Sequence, residues 1–523
     1  MVNREMDISL SPYFVDVVCQ NPVDSEEVDC CLPVYLPHEL IGAVWACGEE
    51  TFKHVLLGGE GFAAIAGYWQ NVQGAAWARE HPAQRSPNLM DYTIPVRTHG
   101  DDVSFRTLGS RKLIVMSMHG ELSHSLDCEL SRLLNFVLWD DWCIPGTTLP
   151  GLLAPWPWSW QALLDGKYPH LDHRGQPWPK GSWRESVAGK RICGPYRVAY
   201  TGSLGDWSFH AKLYYPFWHG ASHNFCCARD LASKVLPTLS YWDVSPEAGW
   251  RATTISTQAF LRSIDPNRWH PFFRMPGWCI EVQRCDFMHA FLLGIALCTN
   301  ADILWELLEL GHFGDDRLSR ETLMLSATGS LRAWLVRNGF SISHGKFTLN
   351  SIGNPQREKY PTFGVKAHDS RMIVSWLCEE AQRSPDINQP RGKMRAALAW
   401  SQFELCRAIE EGPRYLHGGP LMRLLSAWDA FSKLYTSFAL EARAAETRRW
   451  HLLPKIHQLL HLVEDAQGDH LNPGLFSGWN DETFMCVARN MSQGSDRRTT
   501  MLDTLVSWLG AIRVKWQSRW PCV

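Results

Sequence analysis

YTIPVRTHGDDVSF (residues 92–105) is the stretch on which the fold turns. β-Branched and aromatic residues lead up to His99-Gly100, and two adjacent acids, Asp101 and Asp102, follow. A run of this kind predicts a strand that ends in a polar turn. KLIVMSM (112–118) repeats the texture, and YRVAYTG (196–202) repeats it again just before Gly205 and Asp206. Between them, SLDCELSRLLNFVLWDDW (125–142) carries a helical apolar pattern. A Pro-, Gly- and Trp-rich irregular stretch then runs from Pro145 to about Trp183. Strand, strand, helix, long insertion and strand together predict a mixed α/β sheet. Asp101 and Asp206 then both stand at strand ends, where sheet proteins commonly place ligands.

Outward from this core the texture is helical. Residues 1–90 predict a compact helical lead-in, with a short strand or turn around VDCCLPVYLPHELIGAVW (28–45) and a helix that ends at His81-Pro82. From 286 to 470 the apolar spacing predicts helices over 288–310, 319–338, 366–383, 393–411, 420–446 and 451–466, divided by a break at 350–364. Residues 471–523 read as two helices separated by QGSDRR. The expected organisation is therefore a lead-in (1–90), a sheet core (91–285), a helical insertion (286–470) and C-terminal helices that complete the core (471–523). No internal repeat or low-complexity tract is visible.

Composition narrows the class. The chain has 523 residues, is 45% hydrophobic and 20% charged, and so can bury a large core. Its 26 Trp fall partly in patches such as PWPWSW (155–160), which read as core filler or as platforms for stacked bases. A net charge of −3 is not that of a dedicated nucleic-acid-binding domain. Two segments, RGKMRAAL (391–398) and EARAAETRRWH (441–451), are nevertheless locally cationic. The 16 Cys follow no regular framework, and MVNREMDISL carries acids without an apolar core. A secretory leader is therefore not expected there, and reduced thiols in the nucleus or cytoplasm are. The most apolar stretch, 290–310, contains Asn300, Asp302 and Glu306 and reads as a buried helix rather than a membrane span.

The chemistry on offer is carboxylate chemistry. Asp101, Asp206, Asp286 and Glu482 each end an apolar run or interrupt one. Distant carboxylates that converge can hold two divalent cations about 4 Å apart, as phosphoryl transfer requires. Turn and helix-cap roles account for the same residues in an ordinary fold. Asp102 competes with Asp101 for such a role, and Asp481 competes with Glu482. Asp286 and His289 lie three apart on one helix face. His457 and His461 lie four apart with Lys455 beside them, a spacing that suits zinc or contact with DNA phosphates. No Glu follows His457 as a metalloprotease would need. His223-Asn-Phe-Cys226-Cys227-Ala-Arg-Asp230 offers half of a zinc site, with no second Cys pair at finger spacing. Neither a GxSxG elbow nor a GxxxxGK[ST] loop is present.

IPVRTHGDD (94–102), GDWSFHAKLYYPFWHGASHNFCC (205–227), CDFMHAFLLG (285–294), KIHQLLHL (455–462) and NPGLFSGWNDETF (472–484) occur in that order. The set resembles the catalytic region of CACTA-like (En/Spm-type) DDE transposases. The resemblance implies an RNase H-like mixed sheet core with a large all-helical insertion between the second Asp and the last Glu. It implies that Asp101, Asp206 and Glu482 are the catalytic and metal-binding triad, with Asp286 and His289 as a signature near the active site. It further implies Mg²⁺ or Mn²⁺ as cofactor, DNA as partner, a homo-oligomer, and cleavage and strand transfer at element ends. Relatives often carry CxxC soon after the second acid, whereas the matching place here reads Cys226-Cys-Ala-Arg229. That departure, and the absence of a recognisable terminal DNA-binding module, fit a degenerate or domesticated copy whose activity is lost. A non-catalytic DNA- or protein-binding scaffold is the alternative.

Overall fold

The computed structural model describes residues 10–85, 88–105, 111–123, 127–213, 224–315, 317–353 and 359–520. His223 and the middle of the 205–227 stretch lie outside the described residues, as does most of the N-terminal decapeptide. The chain divides into two compact units. Unit 1 comprises 1–222, 255–284 and 478–523, and unit 2 comprises 223–254 and 285–477. Unit 2 is thus inserted into unit 1. It takes in 223–254, which the sequence had suggested for the sheet core.

Unit 1 opens with an antiparallel hairpin, β1 (Tyr13–Gln20) and β2 (Glu27–Val34). The lead-in is therefore not purely helical. The alternating burial of β1 is a two-residue period that a helical reading overlooks. Helices Pro37–Ala46, Glu49–Leu57 and Ala63–Val72 follow.

The mixed α/β sheet contains β3 (Thr93–Ser104), β4 (Lys112–Gly120), β5 (Leu133–Trp139), β6 (Arg197–Gly205) and β7 (Gln283–Cys285), in the spatial order β5-β4-β3-β6-β7. β3, β4 and β5 form an antiparallel meander, and β6 returns parallel to β3. β5 replaces the helix expected within 125–142. All seven of its residues are buried, and an apolar run of that length does not separate helix from buried strand. The irregular Trp-rich stretch also proves ordered. Trp156 and Trp160 are fully buried on the helix Trp156–Asp165, while Trp158 packs on Tyr13, His38 and Trp178.

Register along β3 and β6 sets the functional end of the sheet. Val96 faces Tyr200, but Arg97 faces Gly202, so Thr201 is an extra residue on β6. Its hydroxyl donates to Glu121 Oε1 (2.8 Å) and Val96 O (3.2 Å). Gly202 has φ +145°, and a Cβ there would lie 2.4 Å from Val282 O. Only glycine lets the neighbouring backbone come so close. Beyond the bulge, His99 faces Leu204. Asp101 and Asp206 each lie two residues beyond this last pair.

Unit 2 is helical: Ala296–Glu309, Arg320–Asn338, Ala367–Gln382, Pro390–Glu410, Gly418–Ala444 and Lys455–Asp469 match the expected spans closely. The predicted 288–310 helix instead begins as a wide turn over Met288–Ile295, with Leu293 at φ −97°, ψ 15°. Met288–Glu309 is long and apolar enough to cross a membrane, yet most of its apolar window is buried inside the protein. No disulfide forms among the described residues.

Candidate functional site

Asp101 and Asp206 reach the same edge of the sheet because β3 and β6 run parallel and the Thr201 bulge keeps their ends in step. Neighbouring strands are about 4.8 Å apart, so side chains at paired positions are close. The two strands are packed tightly at this end. A Cβ on Gly100 would fall 1.9 Å from the Phe209 ring, and one on Gly205 would fall 2.8 Å from it. Phe209 belongs to the short helix Trp207–Leu213, which folds back over the glycines. Asp206 starts that helix, its Oδ1 accepting from Phe209 N at 2.6 Å.

Glu482 arrives from the other end of the chain. It lies in the first turn of the helix Trp479–Ser492, where acids suit the helix dipole. Carboxylate oxygens of Glu482 and Asp101 lie within 4.8 Å of each other, close enough to share one cation. Asp101 is buried, and its Oδ1 also accepts from Asp102 N at 2.6 Å. The structure thus brings Asp101 and Glu482 together, while Asp206, the residue after β6, has its carboxylate engaged as a helix cap.

The two competing acids are committed elsewhere. Side chains alternate along β3, so Asp102 points away from Asp101, toward Lys212 (2.5 Å) and Lys112 (3.7 Å). Lys212 also holds Asp140 at 2.7 Å. Burial raises the Asp102 carboxyl, and Lys212 only partly offsets this. Asp481 is buried, with Arg132 Nε donating to its Oδ1 at 2.7 Å and His119 Nδ1 at 3.8 Å. Burial pushes its carboxyl up, but the Arg132 charge prevails and holds it well below the carboxylate range. His119, buried beside the arginine, is held well below the usual imidazole range. Asp481 and Glu482 are successive helix residues facing about 100° apart. Anchoring the first on Arg132 turns the second toward Asp101.

Asp286 and His289 form a local pair at the start of the wide turn. His289 Nδ1 lies 2.8 Å from Asp286 Oδ2, and Asp286 Oδ1 accepts from Met288 N at 2.7 Å. Lys455 donates to His289 O (2.7 Å) and Leu293 O (3.3 Å), two carbonyls of the wide turn. Gly294 makes room for it, since a Cβ there would stand 2.5 Å from Lys455 Cδ. Lys455 is thus an internal clamp. His457 is fully buried, and His461 turns inward with it onto Cys227 and Asp230. All three residues, candidate DNA contacts by their sequence, make these contacts within unit 2. The residue that joins the cysteine there is Asp230, in the frame Cys227-x-x-Asp230 rather than Cys226-x-x-Arg229.

Sequence reasoning missed Arg132, Thr201 and the role of Lys455. Only Thr201 had a local signal, the Thr-Gly pair inside an otherwise regular strand. Neither a family model nor a curated protein matches the chain.

Proposed function

We propose that unit 1 is an RNase H-like catalytic core of the DDE transposase type. In this reading it cleaves DNA and joins strands with Mg²⁺ or Mn²⁺, or descends from a protein that did. The observation that carries the reading is the meeting of Asp101, on β3, and Glu482, with Asp206 directly following the parallel strand β6. The strand order supports it: a three-stranded antiparallel meander with a fourth strand parallel to the first is the arrangement of an RNase H-like sheet. So does the insertion of a helical unit between the second acid and the last. Carboxylate oxygens fit magnesium or manganese, so Asp101 and Glu482, together with Asp206, would hold the ions. Such ions, when bound, activate an attacking hydroxyl and stabilise a leaving oxygen. The protein's own part is to fix the carboxylates: Arg132 holds Asp481, and the Thr201 bulge holds Asp206 in register. DNA is the proposed substrate and a homo-oligomer the proposed assembly.

The test is Mg²⁺-dependent nicking of supercoiled DNA by the full chain. Asp101→Asn, Asp206→Asn and Glu482→Gln should each reduce it by at least about 100-fold with unfolding curves retained. Nicking by all three at the wild-type rate refutes the assignment. A second reading, a non-catalytic DNA- or protein-binding scaffold, draws support from the Asp206 carboxylate already serving as a cap and from the net charge of −3. It requires binding without nicking, indifferent to the same substitutions.

A further inference from the structure

Unit 2 contains a cluster that the carboxylate chemistry does not use. Two of its members, Cys227 and Asp230, lie three apart in a tight loop, closed by Cys226 N to Ala232 O (2.9 Å) and Lys234 N to Asn224 O (2.8 Å). The other two, His457 and His461, lie one turn apart on the helix Lys455–Asp469 and so share a face. All four donor atoms lie within 4.8 Å of one another. His457 Nε2 is 3.1 Å from both Asp230 oxygens, and His461 Nε2 is 3.0 Å from Oδ2. The two Nε2 atoms are 3.0 Å apart. Cys227 Sγ stands 3.4 Å from His457 Nε2 and 3.6 Å from His461 Nε2.

These separations are those of a tetrahedron around one small cation. With Zn–N near 2.0–2.1 Å and Zn–S near 2.3 Å, tetrahedral N···N and N···O edges are about 3.3 Å and N···S edges about 3.6 Å. A hydrogen-bonded cluster explains the geometry poorly. Two imidazole nitrogens aimed at a common point cannot both carry protons there. Asp230 has no exposed side-chain surface, and no lysine or arginine forms an ion pair with it among the described residues. A buried carboxylate without a cation is costly.

We infer that Cys227, Asp230, His457 and His461 form a structural Zn²⁺ centre that fastens the 224–254 loop to the Lys455–Asp469 helix. One thiolate, two imidazoles and one carboxylate suit zinc, whereas magnesium prefers oxygen alone. Four protein ligands leave no open position, which marks a structural centre rather than a catalytic one. The spacings, two residues between the loop ligands and three between the histidines, are those of closed zinc sites. The surroundings hold the same two segments together. Arg229 grips Asp465 (2.9 Å to each oxygen), Arg251 reaches Glu464 (2.7 Å), and the buried Trp250 ring stands edge-on to His457 at 4.5 Å. The inference is independent of the reading of Asp101, Asp206 and Glu482.

The experiment measures metal on the full chain purified without added zinc. Elemental analysis should find about one zinc per chain. Replacement by Co²⁺ should give the d–d bands of a tetrahedral ion and a thiolate charge-transfer band. Cys227→Ser should lose that band, and His461→Ala should lose the metal. Asp230→Cys should keep the stoichiometry and roughly double the charge-transfer intensity, because a second thiolate joins the site. This last variant and the wild-type cobalt spectrum decide the matter even if the loss variants misfold. A wild-type chain that neither carries zinc nor takes it up, an octahedral cobalt spectrum, or an unchanged band in Asp230→Cys overturns the assignment.

Discussion

Replacing Asp481 or Arg132 should damage unit 1 far more than replacing both. Asp481 is 1% exposed and Arg132 is 5% exposed, and they meet through Nε at 2.7 Å and Nη2 at 3.5 Å. Arg132 Nη1 also donates to Ser131 Oγ at 3.0 Å. Removing one partner of such a pair strands the other charge away from water, at a cost of about 3–5 kcal/mol. Asp481→Leu leaves a buried guanidinium whose only other polar partner named here is a hydroxyl. Arg132→Met leaves a buried carboxylate without its guanidinium partner, with His119 Nδ1 at 3.8 Å and His99 also acting on it. Each single variant should therefore lose about 3–5 kcal/mol in urea unfolding. The Arg132→Met/Asp481→Leu double variant should return to within about 1–2 kcal/mol of wild type, because buried pairs are often replaceable by apolar residues. The resulting coupling is at least about 3 kcal/mol, large for a contacting pair. A second readout separates stability from positioning. In the double variant the fold returns but nothing pins the first turn of the helix, so Mg²⁺-dependent nicking should stay low while the unfolding midpoint recovers. Additive single losses, or a fully active double variant, would refute the claim that this pair orients Glu482.

Three more expectations rest on separate features. His38, His81 and His270 are buried in unit 1, and burial lowers their imidazoles to about 3, 4 and 3. Their folded values lie below the unfolded value of about 6.5, so they stabilise the fold above that pH and lose the contribution as pH falls through it. Each should cost about 2 kcal/mol at pH 5, and the three together should contribute close to three protons to the uptake on unfolding there; a flat pH–stability curve from 7 to 5 would contradict this. Gly202→Val should cost at least about 2 kcal/mol, from strain at φ +145° and collision with Val282 O, and should lower nicking by pulling Asp206 out of register; a wild-type melting temperature and rate would remove the bulge from the argument. Lys455→Met should remove the donations to His289 O and Leu293 O, at about 1–3 kcal/mol, with faster amide exchange confined to the wide turn; unchanged exchange there would deny the clamp.

What the sequence disclosed, and what it withheld, follows from range. The helices of unit 2 were legible because 3.6-residue periodicity is local, and β3, β4 and β6 because β-branched runs beside Gly-Asp turns are local too. β5 was hidden because Leu133–Trp139 is buried on both faces and shows no alternation. Asp101, Asp206 and Glu482 could be nominated from their positions at the ends of apolar runs. Choosing Glu482 over Asp481 required Arg132, 349 residues from Asp481. Both halves of the Cys227, Asp230, His457, His461 cluster were visible, as a Cys-rich loop and an i, i+4 histidine pair. What was invisible is that Asp230 and His457, 227 positions apart, meet in the fold.

That distance also explains why the site needs its own anchors. Unit 1 is left at β7 and re-entered at Gly478, and nearly the whole of unit 2 lies between. A connection that long restrains its ends only weakly, since closure entropy grows with the logarithm of length. Glu482 follows Gly478 by four residues, so its place must be fixed by contacts within unit 1. The helix Trp479–Ser492 is fixed through the Asp481–Arg132 pair and through Ser492 Oγ, 2.9 Å from Thr504 Oγ1 on the closing helix Thr500–Arg519. That helix is tied in turn by Trp516 Nε1 donating to Leu130 O at 3.1 Å, two residues before Arg132. The segment Leu130–Arg132 therefore receives both C-terminal helices. A carboxylate supplied from beyond an insertion can be anchored through a segment that leads directly into the sheet, and Arg132 is followed by Leu133, the first residue of β5.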